Sequence, residues 1–367
     1  MSEPEKSDRE PSRILIAGGG TGGHAIPALC VADSLRAKGA VVEFVGATSG
    51  IEMDLVPQKG YVLHSLPLKG LDGGLGARVR AVALFVPAVI SRCRRIIQEF
   101  RPSVVLGVGG YASAPAVLAA HTLGVPTVLH EQNSVPGRVN RFASRLTQKI
   151  LVTFPAAVEH FTRAVWVGMP TRREFFEASR EEALRELGLE PPVVLIFGGS
   201  GGALKINLDA QQAFREATPY TVVQVAGRRD FPSLQTENNR HIILEYADDL
   251  WRYVAAAEVV ITRAGAGSLF DVAAVGRASV LIPFPHATGN HQLHNARYFT
   301  ERGAAELLPN SEVTSEVLRH RVEDLLEDSE RRERLAGSMK ELATPGAADE
   351  VARRLLNVTV EGREDTT

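Results

Sequence analysis

Several chemical signposts are scarce or missing in this chain, and each gap removes a class of protein. Only two cysteines, Cys30 and Cys93, occur in 367 residues. Both fall in apolar helical patterns, which excludes a disulfide framework and reads as reduced cytosolic thiols. An excess of charge of one sign is also missing. The 41 Lys and Arg against 43 Asp and Glu leave a formal net charge of −2, so nucleic acid is not an expected partner. Residues 1–12 are polar, contain two prolines and lack the apolar centre of a signal peptide; they read as a loose tail, as do 362–367. No long hydrophobic run is present. The most apolar stretch, between Arg80 and Arg92, falls far short of the ~20 residues that cross a bilayer. No Asp-x-Asp pair stands at a strand end and the histidines show no ligand-type spacing, so no tightly bound metal is expected.

What remains is an ordinary globular composition, 44% hydrophobic and 23% charged, in a chain long enough for two core-bearing domains. Apolar runs that end in glycine or polar turns alternate with helix-like stretches. The runs 13–17, 41–46, 104–107, 127–130 and 149–153 read as strands of a first parallel sheet. The order begins again at Pro191, with strands expected at 193–197, 221–226, 241–244, 259–262 and 279–282 and a connection near Gly168. Two Rossmann-like domains facing each other is the economical arrangement. Open parallel sheets bind ligands at the carboxyl ends of their strands, so turns from both halves look into one cleft.

Those turns carry the chemistry. After the run 14–17 comes Gly18-Gly19-Gly20-Thr21-Gly22-Gly23-His24, opening a helix expected over 27–35. Bare backbone N–H groups at a helix start suit an anionic ligand. The literal Gly18-x-Gly20-x-x-Gly23 spacing fits a dinucleotide fingerprint, yet the next strand has Glu43 in its middle and no acid at its end, which speaks against NAD. A purely structural glycine turn stays open, although such a turn has no need of an imidazole. The second half repeats the theme in Gly198-Gly199-Ser200-Gly201-Gly202-Ala203 and again in Arg263-Ala264-Gly265-Ala266-Gly267-Ser268. Asp271 follows in the next helix, either reaching ribose hydroxyls or merely favouring the helix dipole. The loop Pro283-Phe284-Pro285-His286-Ala287-Thr288-Gly289-Asn290-His291-Gln292 is dense in amides and imidazoles, either ligand-facing or a satisfied surface loop. Leu75, Val79, Val82 and Phe85 lie on an apolar stretch flanked by Arg78, Arg80, Arg92, Arg94 and Arg95. That pattern suits a core helix with a basic rim or a helix lying on an anionic membrane.

These motifs, together with Gly107-Val108-Gly109-Gly110-Tyr111, His130-Glu131-Gln132-Asn133 and Asn290-His291-Gln292, occur in an order that resembles the MurG family of glycosyltransferase family 28. Members are the peptidoglycan N-acetylglucosaminyltransferases that convert lipid I to lipid II. The likeness runs from about Arg13 to Leu356. It implies an α/β protein of GT-B fold: two Rossmann-like domains with parallel sheets facing an interdomain cleft. The implied divisions are 13–168, acceptor- and membrane-facing; 169–345, which binds UDP-N-acetylglucosamine; and a last helix, 346–361, returning to the first domain. The implied donor is UDP-N-acetylglucosamine, with no tightly bound cofactor, and the implied acceptor is undecaprenyl-diphospho-N-acetylmuramoyl pentapeptide. The implied location is peripheral, on the cytoplasmic face of the plasma membrane, with an anionic membrane surface and other cell-wall and division proteins as further candidate partners.

Carried onto this sequence, the donor-binding set is Thr21, Gly22, Gly23, Asn133, Arg172, Ser200, Ala247, Ala266, Gly267, Ser268, Asp271 and Gln292. Tyr111, His130 and Asn140 fall on the acceptor side. The family usually carries glutamate where this chain has Asp271, shorter by a methylene, and His291 stands where some relatives have a second glutamine. The chemistry asks the acceptor's C4 hydroxyl to lose a proton as it attacks the anomeric carbon, while UDP leaves from the opposite face. His24 is the expected general base, because an imidazole of ordinary pKa near 6.5 accepts a proton at neutral pH. Glu131 is the alternative, and the other reading of His24 is a hydrogen-bond partner of the acceptor diphosphate. A related GT-B enzyme acting on another lipid or a small molecule is the rival function. A non-catalytic nucleotide-sugar binding module has no use for His24.

Overall fold

A computed structural model describes residues 10–67, 75–199 and 202–364, with side chains described except for 75–86 and 359–364. It contains two all-parallel sheets. The first holds β1 (Arg13–Ala17), β2 (Val41–Ala47), β3 (Val62–Leu66), β4 (Val104–Gly107), β5 (Thr127–Glu131), β6 (Lys149–Val152) and β7 (Ala164–Trp166) in the order β3-β2-β1-β4-β5-β6-β7. The second holds β8 (Val193–Phe197), β9 (Thr221–Val225), β10 (His241–Leu244), β11 (Val259–Thr262), β12 (Ala278–Leu281) and β13 (Glu306–Leu307) in the order β10-β9-β8-β11-β12-β13. Helices cover both faces, so the central strands are buried on both sides and read as runs dominated by Val, Ile and Leu. This is the expected two-domain α/β architecture.

Three strands were not anticipated: β3, β7 and β13. Each sits at a sheet edge, is only partly buried, and carries polar or charged residues or spans just two or three positions. Hydrophobic patterning records burial, and edge strands have little of it. The first helix also departs from expectation. It runs Gly22–Ala37, so Pro27 lies inside it and not at its start. A proline in the second turn forgoes one backbone hydrogen bond, and this one is buried. His24 is consequently a helical residue in the first turn.

The chain crosses between the sheets twice, at 167–170 and 343–346. There the Thr344 hydroxyl accepts from Met169 N at 2.9 Å and donates to Met169 O at 3.3 Å. The last helix, Ala347–Glu364, then lies on Gly22–Ala37, and its Val351, Ala352, Leu355 and Val358 complete the first-domain core. In the other direction Phe154, which follows β6, is fully buried in the second-domain core. Its ring centroid lies 5.4 Å from Phe270 and 5.2 Å from Tyr298, both edge-on. Each domain thus finishes the core of the other.

Candidate functional site

In both sheets the strand order reverses beside the first strand of the sheet, β1 next to β4 and β8 next to β11. A reversal of this kind opens a crevice at the carboxyl ends of the strands. All the glycine turns noted above leave from these four strands. On the first side the turns after β1 and β4 interlock: a Cβ on Gly18 would lie 2.4 Å from Gly109 O, and one on Gly110 would lie 2.3 Å from Gly19 O. With φ of +145° and +77°, only glycine fits either place.

One residue that patterning did not single out props this turn from beneath. Glu52, 2% exposed, accepts from Gly20 N at 2.7 Å and from Ala47 N at 2.9 Å. Its distance in sequence from the turn leaves no motif to find. One N–H group of the turn is thereby committed to a protein side chain, which leaves fewer of them for a ligand than the sequence suggests.

His24 leans on the second of the interlocked turns, its Nε2 lying 2.9 Å from where a Gly109 Cβ would stand. Its Nδ1 lies 3.1 Å from Thr21 Oγ1. A base at Nε2 requires the tautomer in which Nδ1–H donates to that hydroxyl. Burial, and secondarily the imidazole of His291, push the His24 pKa down to about 4. The ring is therefore neutral throughout the physiological range, well below the ordinary value expected from sequence.

Three other first-domain assignments change. Glu131 is 2% exposed and its two oxygens accept from Asn133 N at 2.9 Å, Gly137 N at 3.1 Å and Asn140 Nδ2 at 2.9 Å, with Asn133 Nδ2 farther off at 3.4 Å. Burial raises its pKa against the pull of those donors. Its lone pairs are occupied, so it organises the loop 131–137 and is not an alternative base. His130 is 1% exposed; its Nδ1 accepts from Gln132 Nε2 at 3.0 Å, and burial pushes its pKa down to about 4. Asn140 is buried too, donating to Glu131 and to His130 O. Both are buried and held by neighbouring groups of the segment 130–140. Tyr111, by contrast, is 67% exposed.

On the second side, the helix Ala266–Val275 begins after Gly265 with no side-chain cap. The N–H groups of Ala266, Gly267 and Ser268 thus lie at a positive helix end without a side-chain acceptor. Asp271 lies farther along this helix, buried, and burial pushes its pKa up to about 7, opposed by Arg172. It has no hydrogen-bond partner among the described residues. Arg172 lies over the Phe175 ring and its Nη1 donates weakly to Asp248 O at 3.4 Å, next to Ala247. Ser200 lies outside the described residues. Arg263, buried with no carboxylate partner among the described residues, donates from Nη1 to Asn310 Oδ1 at 2.8 Å and to the carbonyls of Ile282 and Pro283. It thereby anchors the start of the loop 283–292. Within that loop Gln292 Oε1 accepts from Phe284 N at 2.9 Å, leaving its amide nitrogen available, and His291 Nδ1 donates to Thr288 O at 2.8 Å. Among the described residues no group of three or more His, Cys, Asp or Glu is placed to hold a metal.

The membrane-docking candidates Leu75, Val79, Val82 and Phe85 belong to the helix Leu75–Phe100, but their side chains lie outside the described residues. No helix among the described residues is long and apolar enough to cross a membrane.

Comparison with known proteins agrees with this layout. The chain matches the glycosyltransferase family 28 N-terminal domain over residues 14–152 and the C-terminal domain of that family over 193–351. It is 64% identical over 339 residues to the UDP-N-acetylglucosamine–N-acetylmuramyl-(pentapeptide) pyrophosphoryl-undecaprenol N-acetylglucosamine transferase of Rubrobacter xylanophilus, covering 92% of this chain and 100% of that one. The enzyme of the same description from Oenococcus oeni is 37% identical, covering 97% and 100%. Among solved structures, that of Acinetobacter baumannii MurG superposes with a TM-score of 0.75 at 28% identity, covering 95% of this chain and 100% of that one. The chain belongs to glycosyltransferase family 28 and has the GT-B fold of two facing Rossmann-like domains.

Proposed function

We propose that this protein transfers N-acetylglucosamine from UDP-N-acetylglucosamine to the C4 hydroxyl of undecaprenyl-diphospho-N-acetylmuramoyl pentapeptide, with inversion, in peptidoglycan synthesis. The observation that carries the reading is the 64% identity to the Rubrobacter xylanophilus transferase across that entire relative. Donor and acceptor follow from its description. The geometry supplies a physical route. A neutral His24 on the first-domain turn takes the proton of the attacking hydroxyl. Negative charge growing on the departing UDP meets the uncapped N–H groups of Ala266 to Ser268 and the Arg172 guanidinium. Asp271 and Ala247 address the nucleoside, Gln292 and Asn133 the donor sugar, and Tyr111 the acceptor.

The same reading divides the chain into 13–168 for the acceptor, 169–345 for the donor and 346–361 as the returning helix. A lipid-anchored acceptor also calls for docking at a cytoplasmic membrane face, where Leu75, Val79, Val82 and Phe85 are the proposed contact, beside other cell-wall and division proteins. Val79→Asp with Val82→Asp is expected to lower sedimentation with anionic vesicles while UDP-N-acetylglucosamine affinity stays the same; unchanged sedimentation removes this surface.

The decisive test supplies labelled UDP-N-acetylglucosamine and a short-chain lipid I analogue and follows UDP release together with labelled lipid. Equal amounts of both are expected. Donor binding without labelled lipid would leave the donor site standing and overturn the acceptor, in favour of a GT-B enzyme acting on another lipid or a small molecule.

A further inference from the structure

Asn295, on the helix His291–Thr300, is fully buried and belongs to no glycine turn, yet it joins the two sides of the cleft. Its Oδ1 accepts from Ser134 N at 2.9 Å and from Ser134 Oγ at 2.8 Å. Its Nδ2 donates to Asn133 Oδ1 at 3.1 Å and to Ala264 O at 3.2 Å. Two acceptor sites and two donors make up the whole capacity of an asparagine amide, and all are used. The orientation is forced: Ala264 O only accepts, so Nδ2 faces it, and Ser134 N only donates, so Oδ1 faces that.

The same reasoning fixes Asn133. Its Nδ2 faces the carboxylate of Glu131, an acceptor only, while its Oδ1 is taken by Asn295. One N–H of Asn133 is left over. We infer that Asn295 is a positioning residue that locks the first-domain loop 131–137 to the end of β11 and holds Asn133 as a donor-only contact, so that Asn133 addresses an acceptor oxygen on the sugar nucleotide. The inference rests on the donor-side reading of Asn133 given above.

Asn295 sits four residues beyond His291 and close to the turn that begins the helix Ala266–Val275. Ala264 immediately precedes Gly265, so the strand end that feeds the nucleotide-facing turn and the loop that carries Asn133 are fixed by one side chain. Loss of the amide frees Asn133 to rotate and the loop to shift, and a displacement of about 1 Å near a reacting centre costs about 100-fold in rate.

The test compares Asn295→Ala, Asn295→Asp, Asn133→Ala and the double variant Asn133→Ala/Asn295→Ala, each checked for folding by its thermal midpoint. Asn295→Asp keeps the acceptors for Ser134 and removes both donors, and serves where the alanine variant does not fold. The expected result is a fall in kcat of about 10- to 100-fold for each single variant, with UDP affinity within about twofold of the parent and the double variant no slower than the worse single one. A multiplicative double variant shows that Asn295 does not act through Asn133 and overturns the inference. Full kcat in the Asn295 variants beside an impaired Asn133→Ala overturns it as well, and leaves the donor-side reading intact. Full kcat in Asn133→Ala overturns that reading and the inference with it.

Discussion

Glycine turns in the two domains share one device and differ in how it is partnered. Each is propped by a buried carboxylate: Glu52 beneath the turn after β1, and Asp230 beneath the turn after β8, where a Cβ on Gly202 would lie 2.6 Å from Asp230 Oδ2. Asp230 is neutralised. Arg229 reaches it from Nε at 2.6 Å and Nη2 at 3.1 Å, Asn207 donates at 3.0 Å, and Arg229 foremost holds its pKa below the usual carboxylate range. Glu52 has only backbone N–H groups as hydrogen-bond partners and no salt bridge among the described residues. The carboxylate under the first turn is therefore met by backbone amides alone, and the one under the second by a guanidinium. Under the proposed function the two sides of the cleft divide the labour, proton abstraction falling to the first and the anionic leaving group to Arg172 and the turn that begins the helix Ala266–Val275.

If that division holds, damage on the two sides separates in the kinetics. The largest effect is expected on the first side, where His24→Ala lowers kcat by about 100- to 10,000-fold, the range of a general base, with UDP-N-acetylglucosamine binding by calorimetry unchanged. Equal loss of binding would break the comparison. Next comes the second side. Asp271→Ala is expected to raise KM for the donor about 10-fold, a lost polar contact in a buried site, with a smaller change in kcat; a pure kcat effect would place Asp271 with the chemistry instead.

Glu52→Gln sharpens the comparison directly. The amide retains one acceptor for Gly20 or Ala47 but loses the charge, so stability falls by about 1–2 kcal/mol in denaturant unfolding. Affinity of the free protein for pyrophosphate should rise if the charge is what keeps anions off the first turn.

The smallest effect concerns pH. His24, His130 and His241 are all held near 4 by burial, while in the unfolded chain their value is about 6.5. Between those values the unfolded state binds protons that the native state does not, so their contribution is complete above about pH 6.5 and is lost as pH falls toward 4. Asp271, raised to about 7, works the other way: its native form stays protonated between about 4 and 7, and stability falls as pH rises through that window. Thermal midpoints of His130→Gln and Asp271→Asn across pH 4 to 8 separate the two slopes. In activity, the acid limb of kcat/KM should lie well below 6.5 if a neutral His24 is the base; a limb at 6.5 would assign the proton elsewhere.

The sequence by itself determined the two-sheet architecture, because the central strands are buried on both faces and their apolar runs record it, as in 193–197 and 259–262. It also located the turns, because glycine is demanded wherever two backbones meet, as Gly18 and Gly110 do with the opposing turn. Contacts between distant segments leave no such periodic trace. Glu52 reaches the first turn from 32 residues away, and Asn295 meets Ser134 across 161. The burial of Glu131, His130 and Asn140, and the donors gathered on Glu131, also escape the sequence, since a side chain's solvent exposure depends on what folds over it. The edge strands β3, β7 and β13, too little buried to leave a pattern, were likewise fixed only by the neighbours they pair with.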